Sequence, residues 1–252
     1  MDLGLKERKV IIGGAARGIS KAITELLAAE GAEIGMFSRN AEALEAHRAA
    51  LAKNGAKVIA QAFTLTDREG YKSFLGGLAE KLGGADIFIH SLSSSGNAAT
   101  QDWQQSFEID MLGAVDGCEA LQPYLAKSGS GSVILMSSTA AVETFLIPQA
   151  FNAIKAALIT YGKQLSQAWA AEGIRVNIVS PGPVSYPGGN WEMIKGAMPG
   201  LYDATLAQIP LGRFGAPDDV AKAVAFLASP AASYITGTNL IIDGGYTKRV
   251  QF

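Results

Sequence analysis

Val10-Ile11-Ile12-Gly13-Gly14-Ala15-Ala16-Arg17-Gly18-Ile19-Ser20 opens on three β-branched apolar residues and passes through three glycines into a segment with a different period. A short apolar run of this kind suits a strand buried on both faces. Beyond it, Ile19, Ala22, Ile23, Leu26 and Leu27 recur at helical spacing, so residues 19–30 read as a helix. Glycine lets the backbone turn sharply and come close to a pyrophosphate. The helix that follows offers free N–H groups and the positive end of its dipole. The pattern gains meaning from its place between the first strand and first helix of a βαβ unit.

Outward from this stretch the alternation continues. Apolar runs at 34–37, 58–63, 87–90, 133–136, 176–179 and 240–242 read as strands. Residues 41–53, 67–82, 101–126, 149–172 and 217–228 read as helices. Strands alternating with helices imply right-handed crossovers and a parallel sheet covered on both faces. The expected architecture is therefore α/β: a single Rossmann domain over residues 1–252, with a doubly wound parallel sheet of about seven strands. Ligands of such a sheet sit outside the carboxyl ends of its strands. The stretch from Ser180 to Pro210 breaks the alternation, yet carries Tyr186, Trp191, Met193, Ile194, Met198, Leu201 and Tyr202. A long apolar excursion beyond a strand end predicts a lid over a substrate pocket, at about 183–210.

Bulk properties narrow the function classes. The chain has 252 residues, 48% hydrophobic and 17% charged, enough to bury a large core. A net charge of −2 points to no nucleic-acid partner. The one cysteine, Cys118, permits no internal disulfide and suggests a small buried residue in a reducing compartment. The charged start from Asp2 to Lys9 lacks the apolar run of a signal peptide, and no run is long enough to span a membrane. A soluble cytoplasmic protein without membrane or metal partners is expected.

The end of the second strand discriminates between dinucleotides. A carboxylate there would hold a ribose 2′-hydroxyl, but the residues are Phe37-Ser38-Arg39-Asn40. Arg39 and Arg17 could pair with a 2′-phosphate, and Ser38 adds a hydroxyl donor. NADP(H) is therefore expected over NAD(H).

The glycine pattern, Ser138, Lys155, Asn177, Pro181-Gly182, Thr236-Gly237 and Asp243-Gly244-Gly245 together resemble the short-chain dehydrogenases and reductases, closest to the 3-oxoacyl-carrier-protein reductase-like members. The resemblance runs from Leu5 to about Tyr246. It implies a strand order of 3-2-1-4-5-6-7, a homo-oligomer (commonly a tetramer, otherwise a dimer), and hydride transfer between a nicotinamide and a small carbonyl or alcohol. In that family a tyrosine four residues before a lysine moves the hydroxyl proton, the lysine binds the nicotinamide ribose, a serine holds the substrate oxygen, and an asparagine on a preceding helix supports a water relay. Carried over, Ser138 is the serine and Lys155 the lysine. Gly14, Arg17, Gly18, Ile19, Ser38, Arg39, Lys155, Pro181 and Gly182 are the cofactor set.

The tyrosine position, however, reads Phe151, and a phenyl ring cannot transfer a proton. The asparagine position reads Asp110. His90-Ser91-Leu92-Ser93 replaces the family's Asn-Asn-Ala-Gly, Gly13 its threonine and Ser20 its last glycine. Thr64 takes the place of an adenine-contacting aspartate, with Asp67 close behind. Three readings remain open: an oxidoreductase with another proton donor, such as Asp110, His90, Tyr186 or Ser138 through a water; an engineered Tyr→Phe substitution; or a dinucleotide-binding protein without redox turnover, including a non-redox enzyme on the same fold. His90 reads as a structural hydrogen-bonder, His47 as a solvated helix residue, and Tyr161 as core. The aromatic and methionine content of the lid predicts a largely apolar substrate.

Overall fold

In the computed structural model, which describes residues 2–65, 67–94, 101–144 and 147–250, the opening apolar run forms strand β1 (Lys9–Gly13). The side-chain period of two sends Val10 and Ile12 into one core and Ile11 into the other, so both faces of the strand are dry. The remaining strands are β2 (Glu33–Ser38), β3 (Val58–Ala62), β4 (Ile87–His90), β5 (Ser132–Met136), β6 (Arg175–Pro181) and β7 (Asn239–Ile242). They make one parallel sheet in the order β3-β2-β1-β4-β5-β6-β7, as expected. Val10 pairs with Ile34 on one side and Ile87 on the other, so the order reverses between β1 and β4.

Helices α1 (Gly18–Ala29), α2 (Ala41–Lys53) and α9 (Pro217–Ala228) cover one face through Ile23, Leu27, Leu44, Leu51, Val220 and Val224. The other face is covered by α3 (Arg68–Leu82), α5 (Gly113–Lys127) and α6 (Ala150–Ala168), through Leu75, Leu78, Leu121, Leu125 and Leu158. Cys118 is fully buried there, and Tyr161 packs against the same core. Among the described residues no helix is long and apolar enough to cross a membrane.

Two predicted helices are cut differently. The 101–126 segment divides into α4 (Trp103–Ser106), a π-helical turn over Phe107–Leu112, and α5. Such turns are uncommon and often lie at functional sites; this one carries Asp110 inward, where it is fully covered. The 149–172 segment leaves the α-helix at Ala168, and Gly173 stops it with a left-handed φ of 74°. The 183–210 excursion contains α7 (Asn190–Ala197) and α8 (Pro199–Ala207), separated at Met198, where proline opens the next helix.

Candidate functional site

At the reversal point a cleft of about 730 Å³ opens beyond the carboxyl ends of the strands. Its floor at one end is the glycine turn. Gly14 and Gly18 adopt φ of 74° and 58°, a region that costs side-chain-bearing residues strain. A Cβ on Gly14 would stand 3.0 Å from the Ser91 carbonyl oxygen, and one on Gly18 would stand 2.6 Å from the Tyr186 ring. Arg17 precedes α1 in extended conformation, and its side chain does not cap the first turn's N–H groups. Ser20, at the position of the family's last glycine, instead exchanges a hydrogen bond with Ser91 (Oγ–Oγ 2.7 Å).

At the end of β2, Ser38 is almost buried and Arg39 is exposed; with Arg17 they line the cleft. Asn40 caps α2, its Oδ1 accepting from the Ala43 N–H at 2.9 Å. Among the described residues neither Arg17 nor Arg39 has an ion-pair partner, leaving two guanidiniums at this end of the cleft. Thr64 also lines it, whereas the Asp67 carboxylate accepts from the Gly70 N–H and caps α3.

The opposite end gathers Ser138, which follows β5, with Phe151 and Lys155 from α6. Four residues apart, Phe151 and Lys155 share a helix face, and the Lys155 Nζ lies 5.6 Å from the phenyl centroid. That ammonium is buried, 2.8 Å from Asp110 Oδ1, and donates to the Met136 carbonyl at 2.9 Å. The Ser94 N–H donates to Asp110 Oδ2 at 2.8 Å. Burial pushes the Asp110 carboxyl up, but the Lys155 charge and the Ser94 donor outweigh it and hold the group below the usual carboxylate range. Burial, reinforced by the Lys155 charge, lowers His90 to about 3. Near neutral pH, Asp110 is thus an ion-paired carboxylate and His90 a neutral imidazole. Neither is poised to donate a proton. Ser138 Oγ accepts from the Ala140 N–H at 3.2 Å. Asn152 Oδ1, buried in the same wall, has no hydrogen-bond partner among the described residues.

Pro181 and Gly182 form the far wall, where a Cβ on Gly182 would collide with Asp243. From the following segment Tyr186, Trp191 and Ile194 face the cleft. Tyr202 instead stacks on Phe214 at 4.4 Å, while Met193 and Met198 are about half exposed, at 49% and 50%. Neither Met193 nor Met198 lines the cleft, whereas Met136, at the end of β5, does. Gln105, Glu143, Gln149 and Asn190 join Asn152 as polar residues in a wall that also carries Phe63, Leu92, Ile109, Phe151, Trp191 and Ile194.

The sequence profile described as Enoyl-(Acyl carrier protein) reductase matches residues 14–247. The chain is a short-chain dehydrogenase/reductase. Isoepoxydon dehydrogenase of Penicillium expansum is 35% identical to it over 257 residues, covering 100% of this chain and 99% of that one. L-sorbose reductase from Gluconobacter frateurii, solved with NADPH and L-sorbose, superposes with a TM-score of 0.90 at 28% identity, over 99% of this chain and 100% of that one. An NADPH-bound short chain oxidoreductase from Pseudomonas aeruginosa PAO1, described as containing an atypical catalytic center, superposes at 0.85 with 28% identity, over 97% and 98% of the two chains.

Within this short-chain dehydrogenase/reductase, His47 corrects the expectation of a solvated helix residue. It is 3% exposed, and its Nδ1 lies 2.8 Å from the Ala15 carbonyl oxygen in the glycine turn. Leu44, His47 and Leu51 are the buried positions of α2, and that helical spacing was already visible in the sequence. Replacing His47 with leucine keeps an apolar body but strands a buried carbonyl. The variant is expected to lose ~1–3 kcal/mol of stability, seen as a lower urea midpoint; an unchanged midpoint would mean that the bond contributes nothing.

Proposed function

We propose that the chain is an NADP(H)-dependent oxidoreductase acting on a carbonyl or secondary alcohol, with a substituted or disabled proton relay. The observation that carries the reading is the pair of guanidiniums, Arg17 and Arg39, without ion-pair partners among the described residues, where β2 ends without a carboxylate. They suit a 2′-phosphate, which accepts charge-assisted hydrogen bonds from both, with Ser38 beside them. The cradle fits a dinucleotide: Gly14 and Gly18 adopt backbone conformations that favour glycine, and the first turn of α1, including Ile19, presents N–H groups to phosphates. Lys155, Pro181 and Gly182 would hold the nicotinamide end. A nicotinamide bound there gives or takes hydride. Ser138 would hold the substrate oxygen, Asn152 would accept a hydrogen bond from a substrate hydroxyl, and residues 183–210 would close over both as a lid.

In this reading Phe151 stands at the family's tyrosine position and Asp110 at its asparagine position. Phe151, at the position where the family carries its proton donor, favours a second reading, a dinucleotide-binding protein that has left redox turnover, or a non-redox enzyme on the same fold. A cytoplasmic homotetramer or dimer accompanies either reading as an expectation from the family. The deciding experiment titrates the protein with NADPH and NADH, then follows NADPH absorbance against ketones and secondary alcohols, including hydroxylated ones. NADPH binding with measurable turnover supports the first reading, and binding without turnover on any member supports the second. Failure to bind either dinucleotide removes both.

A further inference from the structure

Lys155 forms part of the cleft wall, whereas Asp110 is fully covered behind it. Their charges meet at 2.8 Å, and each is also tied to backbone, the ammonium to the Met136 carbonyl and the carboxylate to the Ser94 N–H. This end of the cleft therefore presents a cancelled pair rather than a lone cation. Burying a pair in this way costs desolvation on both sides, which the mutual attraction at contact distance offsets.

A nicotinamide ring carries one positive charge when oxidised and none when reduced, while the rest of the dinucleotide is identical. Interactions common to the two forms cancel in the ratio of their affinities, so the ratio reads the electrostatic potential at the ring. An unpaired ammonium in the wall would oppose the oxidised form. One neutralised by a carboxylate at contact distance opposes it far less. We propose that Asp110, acting through Lys155, sets the preference of this cleft between oxidised and reduced cofactor, admitting the oxidised form where a lone lysine would favour the reduced one. The inference rests on the dinucleotide reading above and adds to it a specificity-determining residue that does not itself reach the cleft.

The test measures dissociation constants for NADP⁺ and NADPH by calorimetry on the wild type, Asp110→Asn, Lys155→Met and the double variant. Asp110→Asn should weaken NADP⁺ relative to NADPH by about tenfold, the size of effect that a unit charge roughly 10 Å away has in a medium of effective dielectric near 20. Lys155→Met should move the ratio in the opposite direction, and the double variant should return it close to the wild-type value. Asparagine keeps the carboxylate's shape and an acceptor for the Ser94 N–H, and the double variant leaves no unpaired charge. The comparison therefore survives if Lys155→Met alone does not fold. A residue with only a structural role would weaken both forms alike; an unmoved ratio with both forms still bound overturns the inference and leaves the dinucleotide reading standing. Failure of the wild type to bind either form overturns both.

Discussion

Phe151→Tyr is expected to raise the rate of carbonyl reduction by a factor on the order of 10²–10⁴, the range that a positioned general acid contributes. In the proposed reading the ring stands where the family's tyrosine would deliver a proton. It lies one helical turn before Lys155 on α6, with the ammonium 5.6 Å from its centroid and Ser138 in the same cleft. The substitution adds one oxygen to a side chain that already faces the cleft, so little repacking is required. The assay is NADPH consumption against the carbonyl panel, with dissociation constants measured in parallel to separate chemistry from binding. If tyrosine brings no gain while NADPH still binds, carbonyl reduction is not what the site has kept, and the non-redox reading stands. If the phenylalanine form is already the faster one, another group supplies the proton. Asp110 and His90 are poor candidates, the first being ion-paired and the second held neutral with a pKa of about 3.

Arg39→Asp should separate the two dinucleotides. Replacing a cation with an anion at the end of β2 removes a charge-assisted partner from a 2′-phosphate and adds repulsion, so NADPH affinity should fall on the order of 10²-fold. NADH carries no such phosphate and should change little, or gain if the new carboxylate finds the ribose hydroxyl. The difference should shrink as salt is raised, because Arg39 is exposed and its interactions are screened. Equal losses for both dinucleotides would dismiss the 2′-phosphate assignment.

The sheet was legible in the sequence because its strands are buried on both faces. Val10-Ile11-Ile12, Ile134-Leu135-Met136 and Val176-Asn177-Ile178-Val179 are almost wholly apolar, and loop segments rarely are. The single Rossmann domain and its strand order followed from that alternation and from the family resemblance. The glycine turn and the two arginines could be read because their identities carry their chemistry. What could not be read was which way side chains face inside irregular segments. The periodicity of 101–126 does not report a π turn, so the burial of Asp110 against Lys155 had no sequence signature. Composition suggested methionines in the cleft wall, whereas α7 and α8 turn Met193 and Met198 outward and anchor on Phe214. His47 was misjudged by residue type, although its spacing with Leu44 and Leu51 placed it on the buried stripe of α2.

The reversal of strand order also bears on how the molecule assembles. β1 finds β2 nearby in the chain, through Val10 and Ile34, but meets β4 only through the distant Ile87. Joining the two halves of the sheet closes a longer loop, a step with a larger entropic cost than the local pairings. The cleft lies across that seam, with Arg17 and Arg39 belonging to the first half and Ser138 and Lys155 to the second. Neither half alone contains the cleft, so a ligand that spans it recognises only the completed chain and acts as a clamp, drawing the folding equilibrium toward the joined state by mass action.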